Sequence, residues 1–135
     1  MRVVLDSNVL VSAMLSGGGA PDMALQLILQ REAILLIDSR IVAEYDEVTA
    51  RPRFGFDPIE RRLLLDAIVH IAEPTLARPL RLSLPDLDDR MFVEVAIAGH
   101  ADAIITGNLK HFKPKRGALT MPVMTPRQFV DALRR

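Results

Sequence analysis

The chain has 135 residues, half of them apolar and a quarter charged, a mixture that suits one globular domain over residues 1–135 and excludes wholesale disorder, collagen-like repeats or a coiled coil as the architecture. Its 17 Lys plus Arg balance 17 Asp plus Glu, so bulk charge does not draw the chain to nucleic acid, and any anionic partner needs a local patch. With no cysteine, disulfide frameworks, thiolate zinc sites and cysteine nucleophiles are excluded.

In chain order, Arg2 to Leu5 is a short β-branched run that stops at Asp6. Ser7 and Asn8 then open a segment with apolar residues at Val9, Leu10, Ala13 and Met14, which predicts a strand followed at once by a helix. Asp6 and Asn8 also interrupt the apolar run that an export signal needs. No stretch is long and apolar enough to span a bilayer, so the expectation is a soluble, cytoplasmic protein with no membrane contact.

Gly17 to Gly19 break the chain, and Pro21 and Asp22 start a second helix running to about Gln30. Ala33 to Ile37 reads as a strand covered on both sides, because its apolar residues do not alternate. Asp38 or Ser39 caps a helix over Arg40 to Thr49, ended by the Arg51–Gly55 loop, and another helix covers Pro58 to Ile71. A Pro-rich connection through Pro74, Pro79 and Pro85 leads to an amphipathic helix over Asp86 to Gly99. Ala103 to Thr106 is a buried strand, and Thr125 with Pro126 starts the last helix. Strands alternating with helices predict an α/β sandwich around a mostly parallel sheet.

In such folds ligands bind at the carboxyl ends of strands, and that is where four oxygen-bearing residues fall. Asp6 follows the first strand, although a helix cap would equally explain it. Glu44 shares a helical face with Ile41, Tyr45 and Val48, which sets a carboxylate on an apolar stripe; a solvated face with Asp46 and Glu47 is the competing explanation. Asp86, Asp88 and Asp89 begin a helix, where the dipole favours acids in any case, but Asp89 lies in line with Phe92, Ala96 and Gly99 and so points inward. Asn108 follows the strand ending at Thr106-Gly107 and can also be a turn or cap residue. Oxygen donors without Cys and with little His suit Mg²⁺ or Mn²⁺. Two carboxylates ~5 Å apart at an effective dielectric of ~20 repel by about 3 kcal/mol, so a cluster of three is costly unless protonated or metal-bound.

The segments VVLDSNVLVSAMLS, SRIVAEYDEVTARPRF, DLDDRMFVEVAIAGHADAIITGNLKHF and VMTPRQFVDAL resemble, in order and spacing, those of the PIN-domain ribonucleases. Within that family they are most similar to the branch of toxin components of prokaryotic toxin–antitoxin systems. The resemblance covers nearly the whole chain and implies a PIN-like three-layer sandwich, with a mostly parallel central sheet flanked by helices. It implies that Asp6, Glu44 and Asp89 hold a divalent cation, Mg²⁺ or Mn²⁺, and are the catalytic acids. Asn108 stands as a fourth ligand where many relatives have an acid, and Asn8 holds the first carboxylate in place. Ser7 and Thr106 serve as hydrogen-bond partners, Asp88 as the runner-up to Asp89, and Asp86 as an outer-shell ligand.

The chemistry so implied is phosphodiester hydrolysis of RNA by activated water, with no protein nucleophile. His111 can assist the leaving group or be merely exposed beside Phe112. Lys110, Lys113, Lys115 and Arg116 cluster after Asn108 and can anchor substrate phosphates, and Arg51 and Arg53 form a smaller basic pair. The implied partners are RNA, a cognate antitoxin and a second copy of the chain in a homodimer. A haloacid-dehalogenase-like phosphatase is excluded because Asn8 stands where its second Asp belongs. The rival reading is a catalytically silent PIN module that binds RNA or protein, and Asn108 favours it.

Overall fold

The computed structural model describes residues 1–82, 84–114 and 119–134. β1 (Arg2–Leu5) is followed by α1 (Ser7–Leu15) and α2 (Ala20–Leu29), then by β2 (Ile34–Ile37), α3 (Ser39–Thr49), α4 (Pro58–Ile71) and β3 (Glu73–Pro74). After the Pro-rich segment come α5 (Arg90–Ala98), β4 (Ala103–Ile105), β5 (Val123–Met124) and α6 (Pro126–Leu133). Among the described residues the strands form one five-stranded sheet in the order β3-β2-β1-β4-β5, with every pairing parallel.

The chain works outward from β1 to β3 and then returns to the other side of β1. Because parallel crossovers are right-handed, that reversal puts α5 on the face opposite the α1–α2 layer and makes the β1/β4 junction the topological switch point. The run Ala33–Ile37, read as covered on both sides, is buried except at Ile34, which is 43% exposed where β2 begins; Val3, Val4 and Leu5 of β1 and Ala103, Ile104 and Ile105 of β4 are fully buried. α5 packs on β1, β2 and β4, and α6 closes against α2. α6 has a full capping box between Thr125 and Gln128, and it starts at Pro126, where Thr125 with Pro126 set it in the sequence.

Two strands escape the sequence reading. Glu73–Pro74 and Val123–Met124 are two residues each and occupy the sheet edges; proline, which cannot donate to a ladder, belongs at an edge, so β3 carries no recognisable pattern. A second correction concerns the helix expected to start at Asp86. The side chain of Asp86 accepts the N–H of Asp88 at 2.9 Å, which winds Leu87–Asp89 into a 3-10 turn, and the α-helix begins only at Arg90. Among the described residues no helix is long and apolar enough to cross a membrane.

Candidate active site

Asp6 sits at the carboxyl end of β1 in the N-cap position of α1, yet its side chain makes no capping hydrogen bond. It is 5% exposed, and its Oδ2 accepts from the hydroxyl of Thr106, at the end of β4, at 2.8 Å. The same Thr106 oxygen accepts the N–H of Asn108 at 3.1 Å, so one buried hydroxyl ties the two strand ends of the switch point together. Burial pushes the Asp6 carboxyl above its usual range; the Thr106 hydroxyl, the nearby Asn8 and Ser7 amides and His111 pull the other way.

Glu44 reaches the same place from α3. Its stripe mates Ile41 and Tyr45 are buried, and Tyr45 donates its hydroxyl to the Leu5 carbonyl at 2.5 Å, which pins this turn of α3 to the end of β1. The half-buried Glu44 carboxylate accepts from the Ser7 hydroxyl through Oε2. Its pKa is raised, first by burial and then by the charges of Asp6, Glu47 and Asp88, while the Ser7 bond opposes the rise.

Asp89 comes from the 3-10 turn before α5. It too occupies an N-cap position without a capping hydrogen bond, and among the described residues its buried Oδ2 has no hydrogen-bond partner. Its carboxyl is pushed up to about 7, chiefly by burial, then by Asp6 and Asp86 and more weakly by Glu44, with His111 opposing. The fold therefore brings Asp6, Glu44 and Asp89 into one electrostatic cluster from three separate elements.

Asn108 and Asn8 both spend their side chains on the loop after β4. Asn108 Oδ1 accepts the N–H of Lys110 at 3.2 Å and caps the 3-10 turn Leu109–Phe112, while its Nδ2 lies 3.0 Å from His111 Nε2. That is the turn or cap role the sequence also offered for it, and it leaves one lone pair of the amide oxygen. Asn8 does not grip the Asp6 carboxylate with its side chain; its Oδ1 accepts from the Gly107 N–H at 3.2 Å and holds the loop after β4 instead. Asp86 is committed to the Asp88 amide, and Asp88 is exposed.

Lys110, His111 and Lys113 are exposed on the rim, and Phe112, buried edge-on against Phe92, anchors the turn that carries them. Lys115 and Arg116 lie outside the described residues. Arg51 is occupied by Glu47, and Arg53 lies over the Phe54 ring.

As the chain stands, no three His, Asp or Glu among the described residues are close enough to share one cation. The donors nevertheless fit a hard divalent ion in kind. They are all oxygen, and one is a buried carboxylate oxygen with no protein partner, which is the unsatisfied acceptor that a cation satisfies.

The PIN domain family model matches residues 2–110. The chain belongs to the PIN domain family. That span takes in β1, α3, the acid-bearing turn before α5 and β4, so all three clustered acids lie on matched PIN sequence. This PIN domain also superposes on a chain of a Rickettsia felis structure described as VapBC2 bound to a DNA fragment from their promoter. The TM-score is 0.60 at 16% identity, over 93% of this chain and 98% of the other, which is a likeness of fold. Comparison with curated proteins gives no match.

One charged group was missed by sequence reasoning. Glu94 of α5 is 3% exposed, pairs with Arg40 of α3 at 2.5 Å and accepts the Leu80 N–H at 2.6 Å. The only sequence signal for it is an acid inside the apolar run Phe92–Ala96.

Proposed function

We propose that this PIN domain is a Mg²⁺- or Mn²⁺-dependent endoribonuclease that hydrolyses phosphodiester bonds of RNA. We further propose that it acts in the cytoplasm as the toxin of a toxin–antitoxin pair, as a homodimer held in check by a cognate antitoxin. The observation that carries the nuclease reading is Asp89 Oδ2, a buried acceptor without a partner among the described residues, electrostatically coupled to Asp6 and Glu44. Burying a carboxylate among two others is unfavourable unless the fold gains function from it.

Asp6, Glu44 and Asp89 would hold the cation. When bound, it supplies Lewis acidity that activates water and offsets charge on phosphate oxygens. The chain's own residues do the positioning. Thr106 fixes the Asp6 carboxylate and Ser7 orients Glu44. Tyr45 holds α3 against the strand that bears Asp6. The exposed Lys110 and Lys113 can meet phosphates flanking the cleaved bond.

The silent-module reading has one observation in its favour: Asn108 spends its amide on a helix cap. A manganese titration followed by calorimetry, together with cleavage of single-stranded RNA with and without chelator, decides between the two. Binding of Mn²⁺ and chelator-sensitive cleavage support the enzyme. Full cleavage by metal-stripped protein refutes the metal-dependent mechanism, and absence of any response to metal favours the module.

A further inference from the structure

Beyond the acid cluster, the same edge of the sheet opens into a second feature. Where β2 and β3 end, an open cavity of about 500 Å³ has a mixed lining, apolar at Val42, Pro74 and Leu76 and polar at Asp38, Thr75 and Arg40. Leu76 is 98% exposed, an apolar side chain that contributes nothing to the core. Arg40 also lines a smaller cavity of about 180 Å³ with Asp88, Arg90 and Glu94, so its side chain stands between the two spaces.

The way Arg40 is held restricts what it can recognise. Its Nε and Nη2 both lie 2.8 Å from Asp38 Oδ2, and its Nη1 lies 2.5 Å from Glu94 Oε1. Guanidinium hydrogen bonds lie in the plane of the group, so two of its edges are occupied and the faces are what it offers a visitor. Its side chain is still 42% exposed. One cation beside two carboxylates leaves the trio with a net negative charge, which gives a phosphate no attraction. A neutral planar ring meets no such penalty, and guanidinium planes stack on nucleic-acid bases. The second oxygen of Glu94 accepts the Leu80 N–H, so the network that fixes Arg40 also tethers the segment that carries Leu76 and Ala77.

We propose that this cavity is a subsite for one unpaired base of single-stranded RNA, stacked on the face of Arg40 and flanked by the apolar Val42, Pro74 and Leu76. The proposal rests on the RNA-hydrolase reading above. It places the base close to the cleaved bond, because Arg40 precedes Glu44 by one turn on the same face of α3, about 5–6 Å between Cβ atoms.

The test uses the full chain in chelator, where binding is separated from hydrolysis. Short single-stranded oligoribonucleotides carry 2-aminopurine at one position at a time, and withdrawal of that base from its stacked neighbours into the cavity is read as a rise in fluorescence. Wild type should show a strong rise at one position. Arg40→Lys keeps a cation beside Glu94 but removes the planar face, and Leu76→Ser alters an exposed lining residue with no core contact, so both variants are expected to fold; melting curves check that. Each should lose the rise and bind the oligonucleotide roughly fivefold or more weakly, with Mn²⁺ affinity unchanged. A wild-type fluorescence rise and affinity in both folded variants would overturn the subsite even if RNA is cleaved normally, and so would failure of wild type to bind the oligonucleotide. A rise that both variants abolish, in a protein that never cleaves RNA, would support the subsite while refuting the hydrolase reading.

Discussion

Asp89→Asn in the metal-free protein tests whether Asp89 is a functional acid or a structural one. Burial and its acidic neighbours push its carboxyl up to about 7 in the folded chain, against about 3.9 for an ordinary aspartate. Between those limits the folded state binds more protons than the unfolded state, so stability falls as pH rises from about 4 to about 7 and is level above. From about 4 to about 7 this corresponds to ~4 kcal/mol at about 1.4 kcal/mol per pH step, which solvent screening on its open side reduces to ~1–2 kcal/mol. The interval from pH 5 to pH 8 captures about two thirds of that, a melting difference of roughly 2–5 °C for a chain of this size. Asp46 and Glu73, held low by Arg61 and Arg2, lose their stabilisation only at more acid pH, whereas Asp6 and Glu44, whose carboxyls are also raised, slope the same way, so the Asp89 contribution is read from the difference between variant and wild type. Calorimetric melts in chelator at pH 5 and pH 8 should show the variant losing that much of the wild-type pH dependence, by melting higher at pH 8 with little change at pH 5. Asp89 makes no capping bond that the substitution could break. A variant that melts lower by the same amount at both pH values would show a structural Asp89 and refute the argument.

Asp6→Asn should abolish cleavage while leaving the metal-free melting temperature within a few degrees of wild type or above it, since the amide oxygen can still accept from Thr106; a large loss of stability would make Asp6 structural. Ser7→Ala removes the hydroxyl that opposes the rise in the Glu44 pKa, so the acid limb of the kcat/KM profile should move to higher pH, with a modest stability loss of about 1 kcal/mol; an unmoved limb would separate Glu44 from the rate. Asn108→Asp keeps an oxygen to cap Lys110 and adds a charge beside the acid cluster, so Mn²⁺ affinity should rise in a calorimetric titration. Unchanged affinity would place residue 108 outside the metal site.

Much of the fold was legible because its strongest signals are local. The apolar runs of β1, β2 and β4 and the Thr125-Pro126 start each carry their own pattern, and the alternation of strand and helix leaves few topologies for a parallel sheet. β3 and β5 were not legible because two residues at an edge, one of them proline, encode no periodicity. In the site, spacing set Glu44 on the Ile41–Tyr45 stripe but left a solvated face with Asp46 and Glu47 equally open; the fold buries Ile41 and Tyr45 and leaves Glu44 half-buried between the two readings. The Arg40–Glu94 pair did not show, since a contact between residues 54 positions apart leaves no trace in either neighbourhood.

Five aspartates of this chain stand at helix starts, and the sequence treats them alike. Asp38 takes the Ile41 N–H, Asp57 the Glu60 N–H and Asp86 the Asp88 N–H; each performs the capping role for which an acid there is favoured. Asp6 and Asp89 stand in the same position without a side-chain capping bond of that kind. They are also the two whose carboxyls are raised, chiefly by burial. Asp6 spends one oxygen on the Thr106 hydroxyl, and among the described residues Asp89 Oδ2 has no partner, and the fold couples both residues to Glu44. That difference between acids used locally and acids left over is invisible in composition or spacing, and it is the physical reason for assigning the chemistry to Asp6 and Asp89 rather than to their three neighbours in kind.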